Sequence, residues 1–148
     1  MTSPTGSLRI QKISLVATVA FTVATVAAVF LKAVRPVTAA VSGGLFVAGG
    51  AVYLIGYAQI VRRSRSDEIE VGGFVFLTGS APKPVRQLLL GCTALQTVVA
   101  VAGAAARPFT LLAFGILAPM FGLGLQALWA ARHGTFPRRA PSAGRPKR

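Results

Sequence analysis

Carboxylates are scarce in this chain. Only three of its 148 residues are acidic, and all three, Asp67, Glu68 and Glu70, fall within the stretch Arg62–Arg86. The long apolar segments on either side contain none. Proton exchange inside a membrane and metal-dependent ester chemistry both depend on buried or clustered carboxylates. The sequence therefore argues against an ion-coupled exporter and against a metal-dependent membrane enzyme. Ion pairing with the neighbouring arginines is the expected role of the three acids.

Cysteine and histidine are even scarcer. Cys92 is the single cysteine, so an internal disulfide is excluded. With His133 as the single histidine, a zinc site also lacks ligands. Covalent catalysis needs a nucleophile beside a base and a group that orients the base, and the apolar segments contain no acid for that purpose. We predict no catalytic residue, no metal and no cofactor, and a protein that is not an enzyme.

The chain is rich instead in apolar residues. They make up 53% of it, charged residues make up 13%, and the mean hydropathy is +0.65, which is typical of membrane proteins rather than soluble ones. Four uncharged runs are long enough to cross a ~30 Å hydrocarbon layer as helices. We predict an all-α fold of four transmembrane helices in two tandem hairpins. The predicted segments are an N-terminal segment 1–12, a first hairpin 13–61, a loop 62–86, a second hairpin 87–131 and a tail 132–148.

Prolines and glycines refine this prediction. The four spans are Ile13–Leu31, Val37–Val61, Gln87–Ala106 and Phe109–Ala131. A cleaved signal peptide is the alternative for the first run, but this run is longer than a signal core and a second apolar run follows at once. Pro36 is expected in the first turn of the second helix, and Pro119 is expected to kink the fourth. The third span is the least lipophilic, so we expect protein to enclose it most.

A weak internal repeat supports the two hairpins. A shift of 72 residues aligns Arg35-Pro36-Val37-Thr38 with Arg107-Pro108-Phe109-Thr110 and yields twelve identities over 49 positions. Helices rich in alanine and valine match one another easily, so coincidence remains the alternative. Two copies that each cross the membrane twice would be parallel repeats.

The basic residues predict the orientation. Thirteen lie in the N-terminal segment, the loop and the tail, and three lie in the two short turns on the other side. Because loops rich in lysine and arginine face the cytoplasm, both termini and the loop are predicted to be cytoplasmic, and the protein is assigned to the cytoplasmic membrane. Aromatic residues are not interleaved with the basic ones, which argues against nucleic-acid binding.

The tail is predicted to be disordered and to bind the anionic inner leaflet by charge. Its candidate lipid contacts are Arg132, Arg138, Arg139, Arg145, Lys147 and Arg148.

The loop is longer than a simple connection requires, and its apolar run Val71–Leu77 contains Gly72 and Gly73, which argue against a rigid helix. We expect this run to lie at the membrane interface or against the helix ends. The loop is also the candidate docking surface for another membrane or cytoplasmic protein. The proposed docking residues are Asp67, Glu68, Glu70, Phe74, Phe76 and Leu77.

Polar and small residues inside the spans predict helix contacts. Gln96 is expected to hydrogen-bond to another span, with Thr22 or Thr25 as first choices by depth. A pore lined by threonines and Gln96 is the alternative, and bonds within or between helices are the favoured interpretation. Small residues let helix backbones approach closely. The glycines expected at helix contacts are Gly43, Gly50, Gly115 and Gly122.

Two stretches, Phe76-Leu77-Thr78-Gly79-Ser80-Ala81-Pro82-Lys83-Pro84-Val85-Arg86 and Ala131-Arg132-His133-Gly134-Thr135-Phe136-Pro137, carry a resemblance. The chain resembles a group of small four-span integral membrane proteins of unassigned function found in actinobacteria. The resemblance covers roughly residues 10–137 and implies only a cell-membrane location and a bacterial host. It carries over no catalytic residue, cofactor or substrate to this chain.

Taken together, these features predict a non-enzymatic accessory or scaffolding subunit of a membrane complex. The alternative is a small homo-oligomeric transporter or lipid flippase.

Overall fold

The computed structural model describes residues 4–139, which form an all-helical fold. The helices are α1 (Pro4–Phe30), α2 (Arg35–Arg63), α3 (Val71–Val75), α4 (Lys83–Ala106) and α5 (Pro119–His133), and two 3₁₀ segments occupy Lys32–Val34 and Leu111–Leu117. Within the described range, the only β-type pairing is one isolated bridge between Asp67 and Arg138. The predicted all-α class is confirmed.

Four segments are long and apolar enough to cross a membrane. They are Thr5–Phe30, Lys32–Arg63, Lys83–Ala106 and Leu111–His133. The chain passes from one end of the bundle to the other in each of them. We call the end that carries residues 62–82 and 134–139 the loop end, and the end that carries residues 31–34 and 107–110 the turn end.

Pro36 lies in the first turn of α2, as predicted. Its missing N–H costs nothing there, because the first N–H groups of a helix have no intrahelical acceptor. The turn before it is held by Arg35, whose Nε donates to the Ala28 carbonyl at 3.1 Å. Thr38 adds contacts to the same junction, donating to the carbonyls of Val34 at 3.1 Å and Ala24 at 3.4 Å. The first two long helices are therefore joined tightly at the turn end.

The fourth segment differs from the predicted single kinked helix. Its first part, Leu111–Leu117, is a 3₁₀ helix, and Pro119 begins α5. Proline at this position cannot donate to the Gly115 carbonyl as an α-helix requires. The Ala118 N–H donates to that carbonyl instead, at 3.0 Å, which is a 3₁₀-type bond. The proline therefore separates two helix types.

The most extensive contact in the bundle joins α2 to α5, and a further large contact joins α1 to α4. Both pairs combine one helix from each half of the chain, and the two helices of each pair run parallel. The contact between α1 and α2 is small by comparison. The fourth segment is the most enclosed of the four. In its apolar 18-residue stretch 44% of the residues are buried, against 28% in the corresponding stretch of α4. The prediction that the third span is the most enclosed is wrong.

Glycines set the distance between α2 and α5, but Gly43 and Gly50 are not among them. A Cβ atom at Gly49 would lie 2.5 Å from backbone atoms of Phe121, and one at Gly56 would lie 2.8 Å from the Ala127 backbone. A Cβ at Gly43 or Gly50 would meet nothing within 4 Å. Gly50 is rotated by about 100° from Gly49 around the helix axis, so it points away from α5.

Gly115 and Gly122 do lie at helix contacts. A Cβ at Gly115 would lie 3.7 Å from the Phe21 ring, and one at Gly122 would overlap Thr93 and lie 3.2 Å from Gln96 Oε1. Of the four glycines predicted to mediate packing, only the two in the fourth segment do so within the bundle.

Candidate functional site at the loop end of the bundle

The loop and the start of the tail join at the loop end. The Glu68 N–H donates to the Pro137 carbonyl at 2.8 Å, and the Arg139 N–H donates to the Ser66 carbonyl at 2.9 Å. These bonds flank the antiparallel bridge between Asp67 and Arg138. We call residues 62–82 together with residues 134–139 the cap.

The composition of the tail predicts disorder, but the described part of the tail is bonded to the loop. Residues 132–139 are structured because the loop supplies backbone partners that an isolated tail lacks. Of the predicted lipid contacts, Arg132, Arg138 and Arg139 are exposed. Arg145, Lys147 and Arg148 lie outside the described residues.

Arg63 holds the cap to the bundle. Its Nη1 donates to the Ala131 carbonyl at 3.0 Å, and its Nη2 donates to the Gly134 carbonyl at 3.1 Å. The last carbonyls of a helix have no intrahelical donor, so a guanidinium at the end of α5 fills a gap in hydrogen bonding. The guanidinium also lies over the Phe136 ring, 5.3 Å from its centroid. One side chain thus binds the end of α5 and the tail that follows it.

Asp67 completes this junction. Its carboxylate forms an ion pair with Arg63 at 3.2 Å, as the spacing of acids and arginines predicted. Glu68 and Glu70 are exposed, and in the described part of the chain neither forms an ion pair. The closeness of acids and arginines in the sequence predicted an ion pair in the loop. It did not indicate that Arg63 also binds the end of α5.

The apolar part of the loop packs into the core. Residues 71–75 form the short helix α3, although two of its five residues are glycines. Phe74 and Leu77 are buried, with 6% and 0% of their surface exposed. The Phe74 ring contacts the Tyr53 and Tyr57 rings at centroid distances of 5.8 and 6.4 Å. Because both side chains fill the bundle's own core, the prediction that Phe74 and Leu77 form a docking surface is wrong; Phe76 is 57% exposed and remains accessible.

Gly73 explains why a glycine occurs in α3. A Cβ there would lie 3.0 Å from the Phe136 ring, so the missing side chain lets the tail pack on α3. Ser80 closes the other side, because its Oγ donates to the Gly73 carbonyl at 2.6 Å and its own carbonyl accepts from the Thr135 N–H at 3.0 Å. The chain reverses here through Gly79, whose φ of 72° favours glycine.

An open groove of about 200 Å³ lies between the loop and the tail. We call it the acidic groove, and it is lined by Glu68, Glu70, Gly73, Thr78, Gly79, Ser80, Thr135, Phe136 and Pro137. Its two carboxylates and its hydroxyls are hydrogen-bond acceptors of the kind that ammonium and guanidinium groups require. In residues 4–139, no three His, Cys, Asp or Glu side chains come together in a way that could hold a metal ion.

A second polar region lies inside the bundle. Gln96 Nε2 donates to Thr18 Oγ1 at 2.8 Å, which confirms the predicted bond between Gln96 and a hydroxyl of another span. The predicted partners, Thr22 and Thr25, are wrong. The Thr18 hydroxyl donates to the Ser14 carbonyl at 2.8 Å, so its oxygen is free to accept from Gln96.

Gln126 forms an equivalent bond that the sequence analysis missed. Its Nε2 donates to Thr93 Oγ1 at 2.6 Å and to the Leu89 carbonyl at 3.2 Å. The sequence could have indicated this bond, because Gln126, like Gln96, is an amide within an apolar span. We call these buried or half-buried polar side chains between the long helices the polar seam: Ser14, Thr18, Thr22, Thr25, Thr93, Gln96 and Gln126. Its buried side-chain atoms without a protein partner in the described part of the chain are Ser14 Oγ, Thr22 Oγ1, Thr25 Oγ1, Gln96 Oε1 and Gln126 Oε1.

The loop end thus combines a preformed cap, an acidic groove and exposed arginines. In the described residues, the buried polar side chains between the long helices are amides and hydroxyls, beside the buried thiol of Cys92. Both places present hydrogen-bond donors or acceptors to which a polar group could bind. Comparisons with protein-family models, with curated proteins and with solved structures find no match to this chain.

Proposed function

We propose that this chain is a multi-pass protein of the cytoplasmic membrane and acts as a non-enzymatic accessory or scaffolding subunit. The cap is the part offered to a partner. The proposal rests on the backbone hydrogen bonds between the tail and the loop. These bonds hold the two segments that line the acidic groove, and the groove between them is open. A preformed site loses less conformational entropy on binding than a flexible loop does.

The expected partner is a basic segment of another membrane or cytoplasmic protein. Glu68 and Glu70 are exposed at the groove, whereas the ion pair between Arg63 and Asp67 is already formed. A lysine or arginine side chain would provide donors for these two carboxylates, which form no ion pair within residues 4–139. The exposed arginines of the tail favour the anionic inner leaflet as a second partner.

Removing the two groove charges tests the docking role. Glu68→Gln together with Glu70→Gln is expected to abolish co-purification of a stoichiometric partner in mild detergent, because both charged acceptors are lost while the cap's backbone bonds remain. Arg62→Gln with Arg65→Gln is the matched control, since both arginines are exposed at the same end and make no side-chain bond in the described structure. An unchanged partner in the first variant would contradict the proposal.

Orientation has its own test. A reporter enzyme that is active only outside the cytoplasm, fused after Arg148, is expected to stay inactive. The reason is that thirteen basic residues belong to the N-terminal segment, the loop and the tail, and three belong to the two short turns. The same reporter inserted after Phe109, which is fully exposed at the turn end, is expected to be active. The reverse pattern would show that the cap faces outward.

The polar seam favours a second candidate function, a small homo-oligomeric transporter or lipid flippase. Buried acceptors without partners are costly in an apolar interior and are often found where a polar species binds or passes. The co-purification experiment separates the two functions. A homo-oligomer without any other protein would favour transport, and a stoichiometric second protein would favour the accessory role.

A further inference from the structure

A second groove at the loop end has the opposite charge. It has a volume of about 550 Å³ and is lined by Lys83, Arg86, Gln87 and Leu90. We call it the basic groove. Its volume falls within the range of small-molecule sites, which is roughly 300–1,000 Å³. No acidic residue lines it, because two of the three acids of this chain lie at the acidic groove and the third is paired with Arg63.

Arg86 is fixed in a way that leaves its terminal nitrogens available. Its Nε donates to the Phe76 carbonyl at 3.2 Å, so the guanidinium is held against the end of α3. Within residues 4–139, Nη1 and Nη2 donate to no protein acceptor. A guanidinium can present two parallel donors to phosphate oxygens, and a side chain that is already oriented loses less entropy on binding.

Lys83 adds a second cation beside it. The side chain is exposed, and it makes no hydrogen bond or ion pair in the described part of the chain. Gln87, one turn further along α4, contributes an amide that can donate to the same ligand. Two cations that have no counter-ion within residues 4–139, together with one neutral donor, favour an anion with several oxygen acceptors.

The groove is polar at one end and apolar at the other. Lys83 is the first residue of a membrane-length helix, and Leu90 lies about 10 Å further along it at 1.5 Å per residue. This polarity matches an amphiphile whose headgroup lies at the membrane surface and whose chain enters the hydrocarbon layer. A soluble phosphate compound would leave the Leu90 end unused.

From this arrangement we propose that the basic groove binds the phosphodiester headgroup of an anionic membrane lipid, with the start of an acyl chain against Leu90. The inference rests on the proposed membrane location. It concerns a site distinct from the tail arginines.

Lipid titration of the full-length chain in detergent micelles, read out by native mass spectrometry, tests the site. The probes are phosphatidylglycerol, phosphatidylcholine and a glycolipid that lacks phosphate. Phosphatidylglycerol is expected to bind most tightly. Lys83→Gln is expected to weaken its binding about fivefold, and Lys83→Gln with Arg86→Gln about thirtyfold, at ~1 kcal/mol for each cation.

Arg62→Gln with Arg65→Gln is the control, and its affinity for phosphatidylglycerol is expected to stay within about twofold of wild type. Lys83→Gln alone keeps the test valid if the double variant unfolds, because Lys83 makes no bond within the described protein and its loss should leave the thermal midpoint unchanged. Equal affinity for phosphatidylglycerol and phosphatidylcholine would overturn the proposal. So would an unchanged affinity in Lys83→Gln, or displacement of the lipid by millimolar inorganic phosphate, which would identify a free-phosphate site. Failure of the orientation reporter would instead count against the membrane topology on which the inference rests.

Discussion

Gly49→Ala is expected to destabilise the bundle by about 3 kcal/mol or more, the upper end of the usual range for overpacking. The new methyl group would lie 2.5 Å from the backbone of Phe121. A flexible side chain could move aside, but here the neighbour is the backbone of a packed segment. Gly124 of α5 lies at the same contact, and a Cβ atom added at Gly124 would overlap the Gly49 carbonyl. The two helices would have to separate along their whole interface, which is the largest in the protein.

Gly50→Ala is the matched control, since it makes the same change one residue further along α2. A Cβ there meets nothing within 4 Å, so the expected effect lies between zero and a gain of about 1 kcal/mol from helix propensity. Unfolding in mixed micelles with increasing sodium dodecyl sulfate, followed by circular dichroism, gives both values. Equal stability of the two variants would show that α2 and α5 are further apart than the structure places them.

The sequence was sufficient for the number and approximate bounds of the four membrane-length segments but not for the surfaces through which they contact one another. Apolar length and flanking charge depend on composition alone. They located four segments whose ends lie within about five residues of the observed ones, except that the first segment begins at Thr5 and not at Ile13. Which glycine faces a neighbour depends on rotation about the helix axis. Gly49 and Gly50 have the same composition around them, and only the packing of α5 separates their roles.

The sequence predicts Thr22 as the partner of Gln96 because both residues lie near the middle of their predicted apolar spans. Thr22 is nine residues into the predicted first span, and Gln96 is nine residues into the predicted third. The helices begin earlier, at Pro4 and Lys83, so Thr18 and Gln96 are each about 20 Å from the start of their helices. Polar residues near a helix start belong to the helix even when they lie outside its apolar run.

The packing of the two halves differs at positions that the 72-residue repeat makes equivalent. Gly50 and Gly122 are equivalent positions, yet Gly122 packs against Thr93 and Gln96 whereas Gly50 faces outward. The corresponding prolines also differ in role, since Pro36 follows a short 3₁₀ turn directly into α2 and Pro108 lies before a seven-residue 3₁₀ segment. If the halves were once copies, their helix contacts have since diverged.

The cap was the least predictable part because it is built from long-range backbone bonds. Nothing in the composition of the tail indicates that Pro137 and Arg139 would pair with the loop. Burial of Phe74 and Leu77 depends equally on neighbours that are distant in sequence. Arg63 contacts the loop at Asp67, the end of α5 at Ala131 and the tail at Gly134.

Arg63→Ala is expected to release the cap while leaving the four long helices in place. The substitution removes a hydrogen bond to the Ala131 carbonyl of α5, one to the Gly134 carbonyl just after α5, an ion pair with Asp67 and a contact with the Phe136 ring. A net loss of about 2–3 kcal/mol in the local opening free energy follows from hydrogen bonds to a charged group. Amide exchange should then accelerate about 30- to 150-fold at the N–H groups that join loop and tail. These are the N–H groups of Glu68, Thr135 and Arg139.

Arg62→Ala provides the comparison, because the neighbouring arginine is exposed and makes no side-chain bond in the described structure; its exchange rates should remain within about twofold of wild type. Arg63→Lys is expected to protect the cap only in part, since an ammonium group lacks the planar fork that reaches two carbonyls at once. Exchange measured by mass spectrometry in micelles resolves the three variants. Wild-type rates in Arg63→Ala would mean that the backbone bridge between loop and tail is sufficient on its own, and that Arg63 does not hold the groove open.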